Sequence, residues 1–338
     1  MTIGVSGTGA MTVANGGAVS AASIWIAAAS NSVGTLNIGR FGTNDAAGTI
    51  STPTIAFGAG TGAINFNQSN STTIAAAISG NGTVNQRGSG TTTLTGNNTY
   101  TGATTVSGGT LAVAAGASIG SSATTVNSGS LTVDGTAGNV TVNSGSVIQG
   151  SGTVSALSIA SGATLAPGNS PGTLTAASAT WNGGGTYDWE ISNFLGSSGS
   201  GWDLLNVTGA LTISADAGSP FTINVISLTA GNTPGAAANF DAFSNYSFAI
   251  ATAAGGISGF NANAFNILTG QFANNMNPDG ATTGIWYLRQ IGNSINLNYA
   301  AALGATAIPE PSTGSLLLVG LMGAWAARRN RKKTASRK

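Results

Sequence analysis

The sequence contains neither histidine nor cysteine in its 338 residues. Histidine is the side chain that most readily exchanges protons near pH 7 and is the commonest metal ligand, so Ser-His, Cys-His and histidine-based zinc chemistry are excluded. Without cysteine there are no disulfides, thiolate nucleophiles or iron–sulfur ligands. Stability must therefore come from length, because roughly 300 residues can bury a large core without covalent cross-links.

Charged residues are also few, at 6% of the sequence, and they are unevenly distributed along the chain. Residues 1–327 carry three arginines, Arg40, Arg87 and Arg289, against nine acidic residues, a net charge of −6. The other seven of the ten basic residues stand in 328–338. A nucleic-acid partner is not expected, because such proteins present a basic face on the folded body.

Glycine is abundant instead, with 52 residues, and apolar residues alternate with Thr, Ser and Asn between short Gly-rich or Asn-rich turns. Alternation with a period of two is typical of strands, and glycine turns supply positive φ angles. The mean hydropathy of +0.22 argues against a disordered chain. The sequence predicts an all-β fold with little helix before residue 310.

Internal repetition defines the architecture further. Similar segments begin at Val106, Val126, Val142 and Ile159, with offsets of 16 to 20 residues, and each carries a glycine followed by an apolar residue, namely Leu111, Leu131, Val147 and Leu165. This length suits one coil of a β-solenoid. About ten coils over residues 1–215, stacked at about 4.8 Å, would make a rod about 50 Å long. Thr, Ser and Asn would point outward.

One segment carries a family resemblance. Residues 88–113 include Leu94-Thr-Gly96-Asn-Asn-Thr-Tyr100-Thr-Gly102 and closely resemble the autotransporter-associated β-strand repeat. The resemblance implies a parallel β-helix, as in the passenger domains of secreted adhesins. Tyr100 would then be a structural cap or an outward-facing aromatic residue.

Residues 216–304 have less glycine and more aromatic residues, among them Phe221, Phe248 and Tyr299. Alternation continues in Phe221-Thr-Ile-Asn-Val225, so strands are still expected. We interpret this region as a β-rich cap or small β-domain that closes the solenoid. Its aromatic residues are expected mainly in a core, and a carbohydrate-binding platform is the alternative.

The C-terminal residues 305–338 form three zones. Pro309, Glu310 and Pro311 precede an apolar run at 315–327, which is followed by a basic tail at 328–338 with Arg328, Arg329, Arg331, Lys332 and Lys333. As a helix the run spans about 20 Å, a marginal membrane span. The basic residues would stay cytoplasmic and interact with anionic lipids, which places the body outside the cytoplasm.

This three-part tail resembles the PEP-CTERM sorting signal. The resemblance implies processing by an exosortase, a membrane-embedded enzyme, with a transient stay in the inner membrane, removal of the tail and delivery of the body to the cell surface or matrix of a Gram-negative, exopolysaccharide-producing bacterium. The two prolines keep the preceding segment out of a helix and accessible to a protease. An ordinary tail anchor that is left intact is the alternative.

Exported proteins begin with a secretory signal peptide, yet Met1-Thr-Ile-Gly-Val-Ser-Gly has neither a basic start nor an apolar run. We therefore expect the natural start to lie upstream of Met1. An in-frame stop codon directly before Met1, with no signal peptide encoded, would contradict this expectation.

The sequence favours a surface-displayed structural or adhesin-like β-solenoid, associated with exopolysaccharide or biofilm matrix and needing no cofactor. The alternative is a polysaccharide lyase or hydrolase, since such enzymes use carboxylates held close together. Asp188 and Glu190 would share one strand face, and Asp203 lies nearby in sequence. These three residues are the only candidates for a metal or acid–base site, and solubilising charges are the simpler interpretation.

Overall fold

The computed structural model describes residues 1–274 and 284–301. Along its strands, β-branched and other apolar residues alternate with Thr, Ser and Asn. Because successive side chains of a strand point to opposite sides, this alternation buries one row and leaves the other at the surface. The described residues form thirty strands and one 3-10 turn, with no α-helix among them. The prediction of an all-β chain is confirmed.

Most strands are short. In the first part of the chain they are β1 Thr2–Ile3, β2 Thr8–Val13, β3 Ala18–Ser20, β4 Ile24–Ile26, β5 Val33–Ile38, β6 Thr49–Ser51, β7 Thr54–Phe57, β8 Thr61–Phe66, β9 Thr72–Ile74, β10 Ala77–Ser79, β11 Thr83–Gln86, β12 Thr91–Leu94, β13 Thr104–Val113, β14 Ser118–Ile119 and β15 Thr124–Val133.

The remaining strands, with the 3-10 turn Ala262–Ala264 between β27 and β28, are β16 Thr136–Ala137, β17 Val140–Val142, β18 Ser146–Gly150, β19 Thr153–Ile159, β20 Thr164–Pro167, β21 Thr173–Trp181, β22 Thr186–Ile191, β23 Leu204–Val207, β24 Leu211–Ile213, β25 Phe221–Ser227, β26 Tyr246–Ala253, β27 Ile257–Ser258, β28 Phe265–Gln271, β29 Ile285–Ile291 and β30 Ser294–Ala300.

Parallel pairing stacks these strands into three columns, which the chain visits in turn in each coil, and this is the predicted β-solenoid. The second column is continuous and contains β2, β5, β8, β11, β13, β15, β17, β19, β21, β24 and β27. Eleven strands at about 4.8 Å give a column about 50 Å long. The first column is interrupted between β10 and β14, and the third between β6 and β9.

The interior is built from apolar ladders. On the second column Val106, Val126, Val142 and Ile159 lie opposite one another in successive coils, as the repeat pattern predicted. In the apolar ladder of the third column, the pairing differs by one residue from the predicted repeat. Leu131 pairs with Ile148 and not with Val147. An extra residue at this corner shifts the register, and a one-residue shift turns the opposite face inward. Ile148 is therefore the buried residue.

The corner between the second and third columns requires glycine. Gly109 adopts φ +54° and Gly129 φ +85°, which L side chains rarely adopt. A Cβ on Gly129 would also collide with the carbonyl oxygen of Gly109 in the preceding coil, and one on Gly109 with that of Gly90. Stacked coils thus exclude side chains here, which explains part of the glycine content.

Parallel pairing continues beyond residue 215, since β25 pairs with β22 and β28 pairs with β25. The antiparallel part is small: β30 pairs with β26 on one side and with β29 on the other. Aromatic packing replaces the small ladders here, with the Trp181 and Phe221 rings stacked 4.8 Å apart. Phe248 and Tyr299 are buried as predicted, whereas Phe243 is exposed. A division into separate domains at residue 215 stays a prediction.

Candidate functional site

The repeat segment breaks the first column, and a side chain fills the gap. At this level the buried amide of Asn98 accepts a hydrogen bond from Ile78 N at 2.9 Å through Oδ1. Its Nδ2 donates to the carbonyl oxygens of Gly96 and Ser118 at 2.9 and 3.0 Å. The Asn98 amide therefore supplies the acceptor and donor that a strand peptide group would give to the coils on either side.

Tyr100, two residues further on, is buried inside the solenoid. Its hydroxyl lies 2.6 Å from Thr104 Oγ1, which lies 2.8 Å from Ser122 Oγ, and Ser122 donates to the carbonyl oxygen of Gly102. The hydroxyls therefore donate in one direction, from Tyr100 to Thr104 to Ser122. Burial raises the pKa of Tyr100 to about 12, so the phenol keeps its proton. The interpretation of Tyr100 as an outward-facing aromatic is wrong.

A continuous row of polar side chains runs along the outer side of the second column. We call this row the polar ladder, and its members, each paired with the next, are Thr12, Asn37, Asn65, Asn85, Thr105, Thr125, Thr141, Ser158, Thr180, Thr212 and Ser258. Nothing in the residue alternation alone fixes this alignment, because it depends on the pairing of every coil with the next.

The two halves of the polar ladder use their polar groups differently. Asn65 Nδ2 donates to Asn37 Oδ1 at 2.9 Å, and Asn85 Nδ2 donates to Asn65 Oδ1 at 3.0 Å. These amides brace one another along the column. Thr105, Thr125 and their neighbours beyond β11 carry hydroxyls at the surface at intervals of about 4.8 Å. This half is a regular array of donors and acceptors.

The predicted acidic residues do lie near one another, but in different environments. Asp188 and Glu190 stand half-buried on the outer side of β22, where Asp188 Oδ1 accepts from Asn224 Nδ2 at 3.0 Å. Asp203 is fully buried, and its two oxygens accept from Gly172 N at 2.7 Å and Glu190 N at 2.9 Å. The Asp203 carboxylate thus links a loop to β22 and serves the fold.

Burial raises the pKa of Asp188 and of Glu190, and raises that of Asp203 well above its usual range. The Asp188 charge adds to the increase at Glu190, and Ser170 opposes it by hydrogen bonding. Residues 1–274 and 284–301 bring together no group of three or more His, Cys, Asp or Glu side chains that could hold a metal ion. Asp188 and Glu190 remain as a pair of carboxyls at the surface.

The predicted sorting residues Pro309, Glu310 and Pro311, the apolar helix at 315–327 and the basic tail at 328–338 lie outside the described residues. Among the residues that are described, none forms a helix of the length and apolar character needed to cross a membrane.

Comparison with known families supports both resemblances. The passenger-associated-transport repeat matches residues 84–113, the segment that contains Asn98 and Tyr100. The PEP-CTERM protein-sorting motif matches residues 307–332, which include the Pro-Glu-Pro residues and the apolar run. A comparison with curated proteins finds no match to the chain.

Together these features define a class, a β-solenoid repeat protein destined for the cell exterior. More particularly, the chain combines a passenger-associated-transport repeat with a PEP-CTERM sorting signal. The sorting signal implies export to the cell surface or extracellular space through a membrane-anchored step and processing by an exosortase. The repeat indicates a structural surface protein.

Proposed function

We propose that the chain is an adhesin-like structural rod that engages extracellular polysaccharide in the biofilm matrix of a Gram-negative bacterium. The observation that carries this proposal is the polar ladder, which runs the length of the second column. Polysaccharides present repeated hydroxyl groups, and a protein face with repeated hydroxyls can exchange hydrogen bonds with many of them at once. Many weak contacts along one chain add up to useful avidity.

The surface chemistry supports this proposal. The outer rows are rich in Thr, Ser and Asn and contain few charged residues, and residues 1–327 carry a net charge of −6. Such a polar surface stays soluble. Because it has no large positive patch, its electrostatic field does not attract polyanions over long distances. Recognition by hydrogen bonds is then the main route to a polysaccharide.

The test compares two sets of Thr→Val substitutions in the full chain. Valine keeps the branched shape of threonine and removes the hydroxyl, so the strands are preserved. We expect Thr105→Val, Thr125→Val and Thr141→Val together to weaken binding to matrix polysaccharide from the host by about tenfold. The control set, Thr136→Val, Thr153→Val and Thr175→Val, removes the same groups from the first column. Equal binding by both sets would contradict the proposal.

An enzyme that degrades polysaccharide is the second candidate function. Asp188 and Glu190 lie on one face of β22, and burial raises the pKa of both, the direction that a general acid requires. A turnover assay on acidic and neutral glycans tests this candidate. Activity abolished by Asp188→Asn or Glu190→Gln, with unchanged folding, would overturn the purely structural proposal.

A further inference from the structure

The loop between β5 and β6, residues 39–48, is held by side-chain hydrogen bonds and presents an aromatic ring to solvent. Asp45 pairs with the Arg40 guanidinium through Oδ2 to Nε at 2.7 Å and Oδ1 to Nη2 at 3.1 Å. Asp45 Oδ1 also accepts from Asn15 Nδ2 at 3.0 Å. At the tip of this loop Phe41 is 75% exposed.

Neighbouring coils hold the same loop from both sides. Asn15 Oδ1 accepts from Ala46 N at 3.0 Å, and Asn70 Oδ1 accepts from Ala47 N at 2.7 Å. Ser69 Oγ donates to the carbonyl oxygen of Asn44 at 2.9 Å. A loop ordered in this way loses little conformational entropy when it binds a partner. The exposed Phe41 is therefore presented on a preorganised support.

Arg87, which follows β11, completes the surface. Its Cζ lies 5.9 Å from the centroid of the Phe41 ring, within cation–π distance. Asp45 already neutralises Arg40, whereas Arg87 makes no ion pair within residues 1–274 and 284–301. Arg87 thus leaves a positive charge beside an exposed aromatic ring, on a body that is acidic as a whole.

We propose that Phe41 and Arg87 form a subsite for a carboxylate-bearing sugar, a uronic acid unit of an acidic polysaccharide. The forked N–H donors of a guanidinium match the two oxygens of a carboxylate, and the aromatic ring offers a flat apolar surface to the sugar ring. Charge complementarity selects an acidic over a neutral sugar. This proposal rests on the proposed function and adds a ligand class and a location to it.

The experiment measures hydrogen–deuterium exchange of the full chain with and without an oligogalacturonate, and with dextran as a neutral glycan. We expect oligogalacturonate to slow exchange in residues 39–48, and dextran to leave it unchanged. Arg87→Gln should weaken the apparent affinity at this loop by about tenfold and Phe41→Ala by about threefold. Arg289→Gln, which removes an arginine elsewhere on the surface, should leave it unchanged.

A site-specific readout is needed because the basic tail attracts polyanions as well. The absence of slowed exchange at residues 39–48, or an unchanged apparent affinity at this loop in Arg87→Gln, would overturn the subsite. If the three Thr→Val substitutions on the polar ladder still weaken polysaccharide binding, the proposed function stands without it. If the three Thr→Val substitutions have no effect, while oligogalacturonate slows exchange at residues 39–48 and Arg87→Gln weakens this effect, the subsite stands and the polar ladder is not the binding face.

Discussion

Replacing Asn98 by alanine tests the idea that a side-chain amide substitutes for a strand. The change removes three hydrogen bonds and leaves the buried Ile78 N–H without an acceptor. An unsatisfied buried donor costs about 1–3 kcal/mol, and each lost neutral hydrogen bond about 1 kcal/mol. The carbonyl oxygen of Ser118 keeps its bond from Asn98 N, which limits the loss. We expect the free energy of unfolding to fall by about 2–4 kcal/mol.

Asn98→Asp makes the test sharper, because it keeps the shape and the acceptor for Ile78 N. The second carboxylate oxygen would face the carbonyl oxygens of Gly96 and Ser118 in place of a donor. At neutral pH this variant should be less stable than Asn98→Ala, since a buried charge is left unpaired. Lowering the pH should restore part of the stability, because a protonated carboxyl can donate.

Urea denaturation of the full chain, followed by circular dichroism, measures these differences. Asn97→Ala is the matched control, because Asn97 is the exposed neighbour of the same residue type, and its effect should stay within about 0.5 kcal/mol. Hydrogen–deuterium exchange of the Ile78 amide should accelerate in Asn98→Ala but not in the control Asn97→Ala. Equal stability of Asn98→Ala and Asn97→Ala would refute the bridging role.

Three further predictions concern the same fold. Tyr100→Phe should lower the free energy of unfolding by about 1 kcal/mol, because Thr104 keeps its bond to Ser122, whereas Tyr100→Ala should cost about 3–5 kcal/mol in urea titrations. Gly109→Ala should destabilise by more than Gly116→Ala, whose cost is about 1–2 kcal/mol, since both glycines have positive φ but only Gly109 faces a neighbouring coil. Burial raises the pKa of Asp188, Glu190 and Asp203, so their contribution to stability is present at acidic pH and lost as the pH rises through their folded-state values. The melting temperature should therefore increase as the pH falls from neutral toward about 4. Below about pH 4 it should decrease, because hydrogen bonds lower the pKa values of Asp45 and Asp241, so these two groups stay charged in the folded chain while the unfolded chain takes up protons. A flat profile would contradict this.

The repeated architecture could be predicted from the sequence because each coil repeats the same local pattern. Val106, Val126 and Val142 recur with glycines at the corners, and stacking places them in one ladder. The shift from Val147 to Ile148 could not be predicted, since adjacent apolar residues satisfy the pattern equally well. Pairing with Leu131 decides between them, and pairing is a long-range property.

The roles of Asn98 and Tyr100 were beyond the pattern as well. An Asn after a Gly-Asn pair is typical of a turn, and nothing local shows that its amide joins the coils before and after it. The feature that indicates the role of Asn98 is the absence of a first-column strand between β10 and β14, and this absence is seen only when the coils are aligned in register. Its proximity to Asp188 in sequence makes Asp203 a candidate site residue, but in the structure Asp203 is buried and accepts hydrogen bonds from two backbone N–H groups, so its contacts are those of a structural residue.

The PEP-CTERM motif implies that the chain leaves the cytoplasm and is processed at its C-terminal signal. Fractionation of the native host, followed by C-terminal sequencing of the mature chain, tests export and processing together. We expect a surface or extracellular chain that lacks the apolar run at 315–327 and the basic tail at 328–338. A chain that ends at Lys338, found with an intact tail in the membrane or the cytoplasm, would contradict it.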